Sequence, residues 1–229
     1  MNLKVIALDA DDTLWVNEPY FEEVEKKFCA LMGDYLSRQG LSQALFTTQV
    51  NNLPLYGYGI KGYILSMIET AIKVSNGTIS VDYIEKITQF GRELINKPIE
   101  LIDGVEETLK QLQGNYKLVV ATKGDLKDQQ RKLHNSGLGN YFHHIEVMAD
   151  KELINYEKLL KRLEVSPDEF MMIGNSLKSD VLPVLEMGGK AIHIPFYLTW
   201  EHEKISHKVV HENFKSFEKI IDILPLLLE

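Results

Sequence analysis

The chain has 229 residues, an ordinary share of apolar and charged side chains, and a formal net charge of −8 from 25 basic against 33 acidic residues. That length suits one sizeable core with a smaller second unit, and the acidic balance argues against the clustered basic surfaces on which non-specific nucleic-acid and anionic-membrane binding depend. The single cysteine, Cys29, excludes an intramolecular disulfide and fits a reducing compartment; no apolar run approaches the roughly 18 residues of a membrane span, so a soluble, cytoplasmic protein is expected.

Val5, Ile6, Ala7 and Leu8 make a short continuous apolar run, the pattern of a strand buried on both faces of a parallel sheet. It is too short for a signal peptide. The run stops in DADDT, residues 9–13, which puts three carboxylates at the C-terminal end of the strand, where open α/β sheets bind ligands. Asp9 and Asp11 are two apart and leave on the same side if the backbone stays extended. Two like charges held close call for a divalent cation beside one or a proton on the other. Asp12 reads as a turn residue. Pro19 suits the first turn of a helix, and Val24, Phe28, Leu31 and Tyr35 share one helical face, which Gly40 closes. Further helical patterns cover 41–52, 60–75 and 81–94, separated by Pro54, the 57–62 loop and Asn76-Gly77. Residues 16–97 are therefore expected to form an all-helical block.

After Pro98 helices and strands alternate: helix 105–113, strand 116–121, helix 127–136, strand 144–148, helix 152–163, strand 170–173, helix 177–187, strand 191–194 and a last helix near 217–227. Together with the first strand this pattern predicts an α/β, Rossmann-like doubly wound parallel sheet built from residues 1–15 and 98–229. The helical block 16–97 is then a cap domain inserted over its C-terminal edge.

The other strand ends carry matching chemistry. KLVVA runs into Thr122-Lys123-Gly124-Asp125, Lys151 follows the 144–148 strand, and FMMIG leads into Asn175-Ser176 with Asp180 beyond. Acidic metal ligands, an anion-binding hydroxyl and a fixed cation at one edge suit phosphoryl transfer, where catalysis is mostly positioning and charge neutralisation. Lys123 is either a phosphate contact or an exposed surface charge. Gly57-Tyr58-Gly59-Ile60-Lys61-Gly62 fits GxGxxG, but no strand precedes it, so it reads as a loop. His202-Glu203 with His207 has one residue too many for HExxH, and His207 and His211 read as surface residues.

In order and spacing, DADDT, Thr122, Lys151 and GNSLKSD resemble the four motifs of the haloacid dehalogenase-like hydrolase superfamily, in its phosphatase branch with a helical cap after the first motif. The resemblance covers nearly the whole chain. It implies that Asp9 is the nucleophile forming an aspartyl phosphate, that Asp11 is the general acid and then base, and that Thr122 and Lys151 hold the phosphoryl group. Mg²⁺ would be bound by Asp9, the main-chain carbonyl of Asp11, and Asp180, with Asn175 beside it. Asn175 stands where the family often has a second acid; its amide can still offer an oxygen but adds no charge. Lys158 competes with Lys151 for the third motif but falls inside a helix. The implied activity is a Mg²⁺-dependent phosphatase acting on a small phosphorylated metabolite. A phosphomutase uses the same residues, and a phosphate-accepting regulatory protein without turnover is a further alternative. Dehalogenases of the superfamily typically lack a carboxylate at the position of Asp11. Oligomeric state is not legible in the sequence.

Overall fold

Val5–Leu8 form the first strand, β1, and each is at most 1% exposed in the computed structural model, which describes residues 2–228. Four helices follow: α1 (Glu18–Leu31), α2 (Arg38–Tyr56), α3 (Ile60–Val74) and α4 (Val81–Ile95). The remainder alternates through α5 (Val105–Leu112), β2 (Lys117–Lys123), α6 (Leu126–Asn135), β3 (His144–Met148), α7 (Leu153–Leu163), β4 (Phe170–Gly174), α8 (Leu182–Glu186), β5 (Lys190–His193), β6 (Phe214–Ser216) and α9 (Leu224–Leu228). The chain divides into two units, one of Met1–Glu18 with Ile99–Glu229, the other of Pro19–Pro98. No helix among the described residues is long and apolar enough to cross a membrane.

The first unit is an α/β, Rossmann-like fold around a six-stranded parallel sheet ordered β3-β2-β1-β4-β5-β6. β1 is central, with Leu8 opposite both Val120 of β2 and Ile173 of β4. Alternation along the strands separates two cores. Ile6, Leu8, Val120 and Ile173 join Val105 and Leu109 of α5 and Leu227 of α9, while Ala7, Val119, Ala121 and Met172 join Tyr156 and Leu159 of α7 and Val184 of α8. Where both faces are covered, in β1, β2, β4 and β5, the strands are apolar along their length and any polar residues fall at the ends; of the two edge strands, half-buried β3 carries Glu146 at its centre and β6 carries Lys215. The two chain segments that lead to and from residues 19–98 run side by side: Trp15 and Leu101 form an antiparallel bridge, and Val16 N donates to Glu100 O at 2.9 Å.

Two core expectations are corrected. The helix near 217–227 begins only at Ile220, as a 3₁₀ segment Ile220–Ile223 that runs into the short α9, and the strand before it, β6, was not expected; β6 has three residues, too few for a period to register. The helix at 177–187 opens as a π-helical turn, Leu177–Val181, before α8.

The second unit packs its helices around Val24, Phe28, Met32, Leu41, Leu45, Met67 and Ile87. Gly40 does not close α1. That helix stops at Leu31, and Ser37 caps the next one by accepting from Gly40 N at 3.2 Å, so Gly40 lies in the first turn of α2. Pro54 lies in the last turn of α2, where it forgoes a single helical hydrogen bond. Gly57 and Gly59 have φ of 69° and 106°, and a Cβ on Gly62 would sit 2.8 Å from Gly57 O. The first half of the GxGxxG stretch, residues 57–59, is thus a tight turn joining α2 to α3, while Ile60 to Gly62, expected as loop, are the first turn of α3, and the glycines answer to backbone geometry.

Candidate active site

Asp9 is the first residue beyond β1, and its N–H donates to Ile173 O of β4 at 2.9 Å. The order of the sheet reverses between these two strands, which is where such sheets open a ligand crevice. β4 ends in Gly174, and the chain passes through Asn175 and Ser176 into the π-helical turn that carries Asp180. A Cβ on Gly174 would stand 2.2 Å from Asp180 Oδ2, so only glycine lets Asp180 lie against the end of β4. Ser176 N donates to that same oxygen at 2.9 Å. Lys151, 3% exposed, donates from Nζ to Asp180 Oδ1 at 2.6 Å and to Asp9 Oδ1. Thr13 Oγ1 lies 3.4 Å from Asp9 Oδ2 and 3.3 Å from Asn175 Oδ1, so its one proton serves either acceptor. Asp9, Lys151, Asn175 and Asp180 are therefore brought together, whereas Lys158 is exposed on α7.

Burial pushes the Asp9 carboxyl up to about 7; the Lys151 ammonium pulls it back, and the charges of Asp180 and Asp11 add to the rise. For Lys151, burial alone would favour the neutral amine, but Asp180 and Asp9 outweigh it and hold the ammonium above the usual lysine range. Two buried carboxylates thus share one fixed cation, and the cluster is short of positive charge. Among the described residues no three His, Cys, Asp or Glu side chains gather to hold a metal. The donors present are two carboxylates and an amide oxygen, with main-chain carbonyls nearby. Hard, all-oxygen donors around a charge deficit fit Mg²⁺, which takes few protein ligands and keeps several waters.

Asp11 engages a different set of partners. Its Oδ1 accepts from Trp15 Nε1 at 2.7 Å and Lys132 Nζ at 2.9 Å, and its Oδ2 from Gln129 Nε2 at 2.8 Å. Asp9 and Asp11 share no hydrogen-bond partner among the described residues, because the extended backbone ends with β1 and the chain turns at Asp12, whose φ is 61°. The Asp12 carboxylate accepts from Asn17 N at 2.8 Å and Glu18 N at 3.0 Å, in keeping with a turn residue, and burial raises it to about 7 despite those bonds.

Thr122 is buried at the end of β2, its hydroxyl donating to Lys123 O at 3.2 Å. Lys123 is not an exposed surface charge. Its Nζ donates to Glu203 Oε1 at 2.6 Å and Ser179 Oγ at 2.9 Å, while Glu203 Oε2 accepts from Ser176 Oγ at 2.6 Å and Ser179 Oγ at 2.5 Å. In the sequence Glu203 stands out only within an incomplete HExxH pattern, and Gln129 and Lys132 belong to no motif. The last two are three apart on α6 and so share a face, the one signal that could have found them.

The family model for haloacid dehalogenase-like hydrolases matches residues 3–188. The HAD-hydrolase YfnB of Bacillus subtilis is 31% identical over 98 residues, which span 39% of this chain and 41% of that relative. The chain thus covers about two fifths of the curated relative it matches. A crystal structure of a haloacid dehalogenase-like family hydrolase from Xanthomonas campestris is 34% identical, with a TM-score of 0.88 over 99% of this chain and 91% of that one. The fold is also shared with L-2-haloacid dehalogenase from Xanthobacter autotrophicus, crystallised with chloropropionic acid covalently bound, at a TM-score of 0.69, 12% identity and coverage of 99% and 98%.

Proposed function

Given that this chain belongs to the haloacid dehalogenase-like hydrolase family, we propose that it is a Mg²⁺-dependent phosphatase that hydrolyses a small phosphomonoester through an aspartyl phosphate on Asp9. The observation that carries this reading is Asp11, a second carboxylate two residues past the buried Asp9, partly exposed and held by three donors. Displacing halide from carbon requires no proton donor, whereas expelling an alkoxide from phosphorus is helped by one.

Asp9 Oδ1 is tied to Lys151, so Oδ2 is the attacking oxygen. It forms a bond to phosphorus as the bond to the leaving oxygen breaks, and Asp11 gives its proton to that oxygen. Water then attacks the phosphorus, Asp11 takes a proton from it, and the bond to Asp9 Oδ2 breaks, releasing orthophosphate and restoring both side chains. Thr122 and Lys151 orient the phosphoryl oxygens. Asp9, Asp180 and the main-chain carbonyl of Asp11 would hold Mg²⁺, with Asn175 beside it acting through a bound water; when bound the ion supplies positive charge that neutralises the phosphoryl group and favours ionised Asp9. A structure of YfnB is described as bound to magnesium, which supports that choice of ion. Lys123 stays outside the phosphate-binding set, its ammonium being paired with Glu203. Residues 19–98 serve as the cap that selects the leaving group, and the substrate is a phosphorylated metabolite of the cytoplasm.

Orthophosphate release from a panel of sugar phosphates, nucleotides and short-chain organic phosphates tests the reading. Release is expected with Mg²⁺, lost in EDTA and regained on adding the ion back, and absent in a folded Asp9→Asn protein. Near-normal turnover by that variant removes the covalent step. Phosphate moved along the substrate without release would make the chain a mutase.

A further inference from the structure

Resting on the phosphatase reading, we propose that Gln129 and Lys132 of α6 are positioning residues for Asp11, fixing its carboxylate so that Oδ2 meets the leaving oxygen. Oδ1 already accepts from two donors, Trp15 Nε1 and Lys132 Nζ, and Oδ2 from one, Gln129 Nε2. A carboxylate offers about four lone-pair sites, so the one that remains is on Oδ2. Both positioning side chains are themselves held. Lys132 Nζ also donates to Asn17 Oδ1 at 2.8 Å, and Gln129 Nε2 donates to Lys123 O at 2.8 Å, which ties Asp11 to the end of β2.

Packing does not explain this choice of residues. The buried positions of α6 are Gln129 and Lys132, 2% and 6% exposed, where a helix covering a sheet ordinarily presents apolar side chains. Gln129 Oε1 is moreover buried with no hydrogen-bond partner among the described residues. A buried acceptor left unpaired is unfavourable, and leucine at 129 would avoid it. What the pair accomplishes is to restrict a group whose proton transfer depends on placement.

The test uses substituted phenyl phosphates of rising leaving-group basicity at saturating Mg²⁺, with kcat/KM measured for wild type, Asp11→Asn, Lys132→Met, Gln129→Leu and Lys132→Arg. Loss of a general acid commonly slows a reaction by about 10²–10⁴-fold where the leaving group needs the proton, and much less where it does not. Asp11→Asn is expected to steepen the dependence on leaving-group basicity. Lys132→Met and Gln129→Leu should steepen it in the same sense, the most basic leaving group losing at least about tenfold more than the least basic, and Lys132→Arg should recover most of the wild-type slope. A uniform loss across the series, or an unchanged slope, overturns the proposal, because general destabilisation lowers every rate alike. If Lys132→Met fails to fold by circular dichroism, Gln129→Leu, which removes the unpaired acceptor, decides alone. A slope unmoved by Asp11→Asn would overturn the acid role assigned to Asp11 and the proposal with it, whereas a slope moved by Asp11→Asn and not by the α6 variants overturns the proposal only.

Discussion

Asn175 sets its amide oxygen 3.3 Å from Thr13 Oγ1, beside Asp9, at a place where a carboxylate would add charge. Asn175→Asp is expected to lower the Mg²⁺ concentration giving half-maximal rate, by no more than about 10- to 100-fold, the range over which groups around a metal's ligands tune its affinity. Turnover at saturating Mg²⁺ should change less, since Asp9 and Asp11 still carry the chemistry. A Mg²⁺ titration of the two proteins checks this, and identical half-saturation would leave Asn175 with only its role in the loop. Residues of this kind were legible in the sequence because each stands at the end of an apolar run, where a charge has a reason to be. Gln129, Lys132 and Glu203 were not. Apart from the helix face that Gln129 and Lys132 share, nothing in their local sequence distinguishes a buried polar partner from a solvated one until distant segments such as Asp11 and Ser176 are brought beside them.

Single elements show the same division. β1 and β4 were readable because burial on both faces leaves unbroken apolar runs, while β6 contributes only Phe214 to a core and left no pattern. Gly40 misled because glycine ends many helices, and only Ser37 accepting from its N–H marks it as part of a new one. The junction of β4 with the π-helical turn is the most demanding local geometry at the site. Gly174→Ala places a Cβ 2.2 Å from Asp180 Oδ2, and relieving that overlap is expected to lower stability by about 1–3 kcal/mol, as overpacking commonly does. Because Asp180 must move, Mg²⁺ affinity should fall as well. Urea denaturation with and without Mg²⁺ measures both effects. An alanine variant as stable and as responsive to Mg²⁺ as the parent would mean that Asp180 has room the packing does not suggest.

Across the α/β unit, Glu203 joins parts far apart in the sequence, since its two oxygens hold Lys123 at the end of β2 and Ser176 and Ser179 around the turn that carries Asp180. Burial would raise its pKa, but the Lys123 charge and the hydrogen bonds from Lys123, Ser176 and Ser179 prevail and hold it at about 2, against an ordinary 4.5. The folded value is the lower one, so the stabilisation is complete above 4.5 and is lost as pH falls from there towards 2, on the order of 3 kcal/mol in all. Glu203→Gln should therefore be less stable than the parent near neutrality, and the gap should close as denaturation is repeated at lower pH across that window. A gap that stays constant with pH would mean that Glu203 contributes through its shape alone. At this scale the antiparallel bridge between Trp15 and Leu101 also has a consequence for how the chain is assembled. It brings the two points where the sheet's chain departs and returns within one hydrogen bond of each other, so to the sheet the whole of residues 19–98 is a loop closed at its base. The entropy of closing a loop grows only with the logarithm of its length, so the excursion can be lengthened, shortened or exchanged for another fold while the six strands keep their register.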